Sequence, residues 1–298
     1  MNLETDRDIQ KFFKNTSISN VIALKRMKYG VTNKVYKVVT SDNNYLLKEY
    51  VGKYNKRCKK DLLAHCLKQN INVPVEITKQ KINNRLFYLY EFIDGYHKKK
   101  LKINDICLLV KTVSLLDKKV SIKDYQNDNI FAKVNYYVRY LKEIATYKIN
   151  KKTIYELITK YESLDFSNLN FYLVHGDLSS QNMLWKNHIL YLIDFDEAIV
   201  ATQEYEVISS VIKLCFHYND FDIQLAKELL KEYENQMNLS IQNLKCMWEF
   251  YILKVILEKI ALYQMGKIDL SDPRQKKDGW EKWYNLLNDL NLTQVLFE

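Results

Sequence analysis

The hydrophobic pattern of this chain changes once, near residue 102, and that change limits the folds open to it. Before that point, short β-branched and aromatic runs surround polar turns, which is typical of antiparallel strands. These runs cover residues 21–27, 34–40, 45–50 and 86–93, with one helical pattern at 55–69. After it, apolar residues recur every three or four positions, as in amphipathic helices. The helical stretches are 104–118, 130–147, 151–164, 203–217, 222–236, 241–265 and 280–290.

Two short apolar runs, MLW and ILYLI, interrupt the helical part within residues 171–194 and predict an embedded hairpin. We therefore predict an α+β fold with a small antiparallel sheet followed by a larger, mostly helical part. A hinge is expected near residues 91–96. The predicted domains are residues 1–95 and residues 96–298.

Composition excludes several classes of protein. With 47% hydrophobic and 27% charged residues, the chain is expected to fold rather than to be disordered. No apolar run approaches the ~20 residues that span a bilayer, and the N-terminal MNLETDRDIQ is too polar for a signal peptide. The five cysteines are scattered and form no CxxC pair, as in reduced cytosolic proteins. We expect a cytoplasmic protein without a membrane partner.

The net charge of +9 is unevenly distributed along the chain. Residues 1–96 carry a net charge of +9, residues 97–150 carry +7 and residues 151–298 carry −7. Such polarity suggests surfaces for differently charged partners, but a lysine-rich composition without functional meaning explains it equally well. A nucleic-acid partner could use the basic part. No nucleic-acid-binding signature is present, so we expect none.

Side chains that carry oxygen are concentrated in residues 173–198. His175-Gly-Asp177 is followed by Asn182, and Asp194 comes twelve residues later at the end of a predicted strand. Phosphoryl transfer from ATP uses one carboxylate to orient the attacking hydroxyl and accept its proton. It uses an amide oxygen and a second carboxylate to hold Mg2+. The spacing puts Asp177 and Asn182 on one loop, and the hairpin returns Asp194 beside Asn182, which predicts this chemistry.

The two segments HGDLSSQN (175–182) and LIDFDEA (192–198) resemble the hallmark motifs of the aminoglycoside phosphotransferase and choline kinase-like family. The resemblance implies a bilobal, protein-kinase-like fold with ATP and Mg2+ as cofactors. It also implies that Asp177 is the catalytic base and that Asn182 and Asp194 are the metal ligands. His175 is expected to organise the loop. The next acids of the run, at 196 and 197, are either structural or turned toward the substrate.

The same resemblance extends to the N-terminal half. It implies that the loop with Gly30 and Asn33 covers the phosphates of the nucleotide. It also implies that the Lys48 side chain binds these phosphates. The backbone of Glu91 and Ile93 would receive adenine. In the family this lysine pairs with a helical glutamate, but here the helix offers Asp61, so the partner is either Asp61 or missing.

The expected acceptor is a small molecule with a hydroxyl group. Only about ten residues separate Asp194 from the next helical pattern, and no Ala-Pro-Glu follows, unlike in protein kinases. Residues 175–206 hold six acids and one base, which favours a cationic acceptor such as an aminoglycoside or an amino alcohol.

Several alternatives stay open at this point. The chain could be a non-catalytic nucleotide-binding or spore-coat-type relative of the same fold, because the helical glutamate is absent. The acceptor, the choice between ATP and GTP, and the choice between monomer and homodimer are not determined by the sequence.

Overall fold

The computed structural model describes residues 6–18, 20–27, 33–50, 57–125, 128–167, 169–217, 220–269 and 280–297. The chain divides into two compact units that are discontinuous in sequence. The first comprises Met1–Lys56, Asn72–His97 and Leu184–Ile193. The second comprises Arg57–Ile71, Lys98–Met183 and Asp194–Glu298. The functional division into residues 1–95 and 96–298 stays a prediction.

A five-stranded antiparallel sheet forms the first unit. Its strands are β1 (Val21–Arg26), β2 (Lys34–Thr40), β3 (Asn44–Tyr50), β4 (Glu76–Ile82) and β5 (Arg85–Glu91). Their order in the sheet is β1-β2-β3-β5-β4, so β3 is central and pairs with both β2 and β5. The four runs predicted as strands are therefore confirmed. The edge strand β4 was not predicted, because its EITKQKI sequence alternates polar and apolar residues only weakly.

A short helix, α1 (Arg7–Lys14), packs on this sheet and was also missed. Asp6 caps it by accepting hydrogen bonds from the backbone N–H groups of Asp8 and Ile9. Its Ile9 and Phe12 are fully buried in the core with strand residues such as Phe87. With few apolar residues in a polar segment, a helix this short gives little periodic signal.

Helices dominate the second unit. Their bounds are α2 (Arg57–Lys68), α3 (Ile103–Leu116), α4 (Ile130–Glu143), α5 (Lys151–Glu162), α6 (Gln203–Cys215), α7 (Ile223–Gln236), α8 (Ile241–Gln264), α9 (Trp280–Leu287) and α10 (Leu290–Phe297). The described parts of α6 and α8 are buried along most of their length, which places them in the core of this unit. Every predicted helical stretch corresponds to an observed helix, and the 280–290 stretch divides into α9 and the start of α10.

Several short strands border the loops in which the predicted site residues lie. They are β6 (Lys118–Lys119), β7 (Tyr172–Val174), β8 (Met183–Lys186), β9 (Ile189–Leu192), β10 (Ile199–Ala201), β11 (Phe216–His217) and β12 (Asp220–Phe221). β8 and β9 form the predicted hairpin, and β7 lies between β10 and β6 in a second sheet. The chain thus has the predicted α+β architecture.

Two further properties bear on the sequence-based expectations. In the part of the chain that the structure describes, no helix is both long and apolar enough to cross a membrane. The five cysteines are present as free thiols.

Candidate functional site

The loop between β7 and β8 brings Asp177 and Asn182 into direct contact. A turn of 3-10 helix at Ser180–Asn182 ends the loop and aims the Asn182 side chain back along it. The Asn182 Nδ2 group donates to the Asp177 carboxylate (Oδ2, 2.7 Å) and to the Asp177 carbonyl (2.8 Å). Both amide protons are therefore directed at Asp177, and Oδ1 is the Asn182 atom suited to bind a cation.

A lysine that the motif did not reveal contacts the other carboxylate oxygen of Asp177. Lys213 Nζ lies 2.7 Å from Asp177 Oδ1 and donates a second hydrogen bond to the Gly176 carbonyl at 2.9 Å. Although burial disfavours its charge, the pKa of Lys213 is raised, because Tyr251 and Asp177 stabilise the ammonium group. Asp177 is thus held between an amide and a permanent positive charge.

A buried glutamate binds the backbone of the same loop. Glu206 accepts hydrogen bonds from the backbone N–H groups of His175 (2.9 Å) and Gly176 (3.0 Å). Burial raises the pKa of Glu206 to about 7, against the opposing effect of these N–H groups and of Lys213. Glu206 and Lys213 are seven residues apart on α6, so they share one face of that helix and both reach the loop.

His175 has the loop-organising environment that was expected of it. The side chain is fully buried, and its ring lies 4.5 Å from the ring of Phe195. Its Nδ1 accepts a hydrogen bond from the backbone N–H of Asp177 at 3.3 Å, which puts a ring proton on Nε2. These contacts fix the backbone around Asp177.

Gly176 is the one position in the loop where only glycine fits. Its φ is +76°, in the left-handed region, and a Cβ there would lie 2.4 Å from the Glu197 carbonyl oxygen. The loop therefore passes so close to the turn after β9 that any side chain would push the two apart.

Asp194 follows β9 and takes up a left-handed backbone conformation (φ 61°, ψ 62°) with an exposed side chain. A non-glycine residue in this region carries strain and is often found at functional sites. Asn182 immediately precedes β8, so the antiparallel hairpin brings its two ends, with Asn182 and Asp194, to the same side. The predicted pair is thus at one end of one hairpin.

The donors present fit Mg2+. An amide oxygen and one carboxylate form a small set of hard ligands, which suits an ion that keeps waters and phosphate oxygens around it. Within the described ranges, no group of three or more His, Cys, Asp or Glu side chains could hold a metal on its own.

The predicted nucleotide contacts are located in the first unit. Gly30 lies outside the described residues, whereas Asn33 is buried directly before β2. Lys48 is buried on the central strand β3, with its ammonium 5.2 Å from the ring centre of Tyr50. Their proposed roles toward phosphate are not tested by these contacts.

The backbone predicted to receive adenine lies at the end of β5 and directly after it. Glu91 ends β5, and its N–H donates to the Val75 carbonyl at 3.0 Å. The carbonyl of Ile93 accepts from the N–H of Gly95 at 3.0 Å, which folds the segment after β5 into a tight turn. The segment has a defined backbone conformation, as a binding strand requires.

Helix α2 contributes a lysine to the acidic turn after β9, a contact that the sequence did not reveal. Lys59 forms an ion pair with Asp196 at 3.0 Å, and both side chains are only 11% exposed. Asp61, one of the two alternatives left open for the partner of Lys48, accepts a hydrogen bond from the Tyr125 hydroxyl at 2.7 Å. Asp196 therefore has a structural contact through Lys59, and its orientation toward a substrate stays a prediction.

Comparison with known proteins supports the motif assignment. Residues 129–242 match the model of the phosphotransferase enzyme family, and this segment contains the whole run from His175 to Asp194. No curated protein matches the chain in sequence.

Solved structures of small-molecule kinases share the fold. A Plasmodium vivax ethanolamine kinase superposes with a TM-score of 0.69 at 16% identity, covering 92% of this chain and 84% of that one. The Streptococcus pneumoniae choline kinase LicA gives 0.68 at 14% identity, with 94% and 98% covered. A spectinomycin phosphotransferase in complex with ADP and spectinomycin gives 0.58 at 15% identity, with 92% of both chains covered. The predicted resemblance to the aminoglycoside phosphotransferase and choline kinase-like family, and the protein-kinase-like fold with it, are thereby confirmed.

Proposed function

We propose that the protein transfers the γ-phosphoryl group of ATP to a hydroxyl group of a small molecule. The observation that carries this proposal is the pair of hydrogen bonds from Asn182 and Lys213 that fixes both carboxylate oxygens of Asp177. A general base in phosphoryl transfer needs this kind of fixed orientation, because catalysis depends mainly on alignment and charge neutralisation.

In this proposal Asp177 orients the acceptor hydroxyl and takes up its proton. The carboxylate is partly exposed, at 34%, so an incoming hydroxyl can reach it while Lys213 and Asn182 hold it in place. Mg2+ at Asn182 and Asp194 would neutralise charge on the phosphates. Lys48 would bind the α- and β-phosphates. Gly30 and Asn33 would belong to the loop that covers these phosphates.

ATP as the donor is supported by the kinase fold and by the nucleotide in one of its relatives. The spectinomycin phosphotransferase with this fold was solved with ADP bound. In our proposal the backbone of Glu91 and Ile93 receives the adenine. The free thiols are consistent with a reducing compartment, and we place the enzyme in the cytoplasm.

The test is ADP release with a panel of hydroxyl acceptors, comparing the wild type with Asp177→Asn. The variant keeps the shape of the side chain but cannot accept a proton, so we expect turnover to fall by about 10³-fold or more while nucleotide affinity changes little. The matched control is Asp42→Asn, at the exposed turn between β2 and β3. Full activity of Asp177→Asn would reject the assignment.

The same experiment distinguishes a non-catalytic relative from an enzyme. Such a protein would bind Mg-ATP tightly and release no ADP with any acceptor. The Asn182 and Lys213 contacts to Asp177 favour the enzyme, since a scaffold has no need of an oriented carboxylate.

A further inference from the structure

Lysines from elsewhere in the chain offset much of the acidic excess between residues 175 and 206. Among the residues that the structure describes, three of these six acids have an ammonium partner from outside the segment. The pairs are Lys213 with Asp177 (2.7 Å), Lys59 with Asp196 (3.0 Å) and Lys133 with Glu197 (3.6 Å). The local surplus of negative charge that favours a cationic acceptor is therefore much smaller in the folded protein than in the sequence.

Lys213 matters most because its partner is the reacting carboxylate itself. Its side chain is only 23% exposed, and a second hydrogen bond to the Gly176 carbonyl fixes its ammonium group. A hydroxyl that binds Asp177 must approach this ammonium group closely. The raised pKa of Lys213 keeps it charged at neutral pH.

A second lysine, Lys254, adds positive charge near the same helix. Burial raises the pKa of Tyr205 on α6, and the positive charges of Lys254 and Lys213 both oppose this rise. Lys254 is itself bound to Glu258 at 3.0 Å, so its charge is balanced locally. The Lys213 ammonium group is therefore the positive charge in direct contact with Asp177. It offsets the negative charge with which Asp177 would otherwise attract a cation.

We propose that Lys213 is a specificity-determining residue that excludes acceptors carrying a positive charge next to the reacting hydroxyl. This inference rests on the proposed function and narrows its substrate class to compounds that are uncharged at that point, such as polyols and sugars. A cation there would meet repulsion from Lys213 in a partly desolvated site, where like charges interact strongly. An uncharged hydroxyl compound meets no such penalty.

Three matched pairs of acceptors test the inference, each differing in one positive charge. They are 3,3-dimethylbutan-1-ol and choline, propane-1,2-diol and 1-aminopropan-2-ol, and glucose and glucosamine. For each pair the ratio of kcat/KM, uncharged over cationic, is measured from ADP release. We expect wild-type ratios of about tenfold or more.

Variants of Lys213 show whether the ammonium group sets the ratio. Lys213→Arg should preserve it, Lys213→Met should bring it close to one, and Lys213→Glu should invert it. Lys227→Met, at an exposed position on α7, is the matched control and should leave it unchanged. If Lys213→Met lowers the overall rate, it lowers kcat/KM for both members of a pair. The loss then cancels in the ratio of kcat/KM, uncharged over cationic.

Each outcome separates the inference from the proposed function. Equal or greater activity of wild type with the cationic members overturns the inference and leaves the kinase proposal intact. If Mg-ATP raises the melting temperature but no pair reacts, we measure the dissociation constant of each compound from the Mg-ADP complex of the protein. A ratio of dissociation constants, cationic over uncharged, of about tenfold or more supports the inference, and a ratio of one or less overturns it. If Mg-ATP has no effect and no acceptor reacts, both the proposed function and the inference fail.

Discussion

At the residue scale, Asp177 shows how local and distant parts of the sequence combine in one group. Its hydrogen bond to Asn182 follows from a five-residue spacing within one loop, and it could be predicted from the sequence. Its ion pair with Lys213 joins positions 36 residues apart, and no spacing rule connects them. The contact of Glu206 with the backbone of His175 likewise joins positions 31 residues apart, and both this contact and the burial of Glu206 became apparent only in the structure.

The raised pKa of Glu206 predicts a pH dependence of stability. The folded-state pKa of about 7 exceeds the ordinary value of 4.5, so folding favours the protonated form. The stabilisation is complete below about pH 4.5 and is lost as the pH rises through 7. Glu206→Gln does not titrate. Its free energy of unfolding relative to wild type should therefore rise by up to about 3 kcal/mol between pH 5 and pH 8.

Urea denaturation of both proteins across this pH range measures that difference. Other groups, including the buried Asp117 whose pKa is raised by burial and by Glu206, titrate in both proteins. Groups that do not interact with Glu206 cancel in the comparison, and repeating both measurements in an Asp117→Asn background removes the contribution of Asp117. A difference that stays constant from pH 5 to pH 8 would show that Glu206 is already ionised throughout.

At the scale of elements, the site depends on how closely the loop before β8 approaches the turn after β9. The turn residues Phe195–Glu197 form a short 3-10 helix whose last carbonyl lies against Gly176. The hairpin of β8 and β9 was predictable, because two apolar runs surround a polar turn. The close approach was not, since it depends on the path of both loops in space.

Substitution of Gly176 tests this contact. Gly176→Ala adds a Cβ that would meet the backbone of Glu197 at 2.4 Å, in addition to the cost of a left-handed conformation. We expect the free energy of unfolding to fall by about 3 kcal/mol or more and catalytic turnover to be lost. Urea denaturation and ADP release measure the two effects.

Gly266 offers a matched control for that substitution. Its φ is +69°, close to that of Gly176, but a Cβ there meets nothing within 4 Å. Gly266→Ala should cost only the conformational strain of about 1–2 kcal/mol and should retain activity. Equal losses in the two alanine variants would show that the contact with Glu197 has no energetic weight.

At the scale of the whole molecule, each unit has a core of its own. In the first, α1 and one face of the sheet enclose Phe12 and Phe87, and in the second, α6 and α8 supply many fully buried residues. The binding of a ligand to the folded chain raises its stability by mass action, whichever unit supplies the contacts. Thermal unfolding is therefore a direct measure of the proposed nucleotide site.

Asp194→Ala should abolish the increase in melting temperature that Mg-ATP gives to the wild type. The substitution removes the charged member of the proposed metal pair and leaves a left-handed backbone conformation that alanine adopts less readily than aspartate. Scans with ATP and EDTA are the control, since a response that survives without Mg2+ does not depend on the metal pair. An undiminished Mg-dependent shift in Asp194→Ala would exclude this residue as a ligand.

The sequence by itself determined the kind of elements, their order and the spacing of Asp177, Asn182 and Asp194. Hydrophobic periodicity and turn residues act over a few positions, so local patterns carry this information directly. Among the segments missed, α1 and β4 have an apolar face that is too short or too interrupted to show a period.

Only the tertiary structure decided which charges meet. Lys213 contacts Asp177 and Lys59 contacts Asp196 because particular helix faces pack against the loops. A sum of charges along the chain does not predict these contacts. Electrostatic energy depends on distance in space and on burial rather than on separation in sequence. For that reason the sequence pointed to phosphoryl transfer, whereas the ion pair between Lys213 and Asp177 became apparent only in the fold.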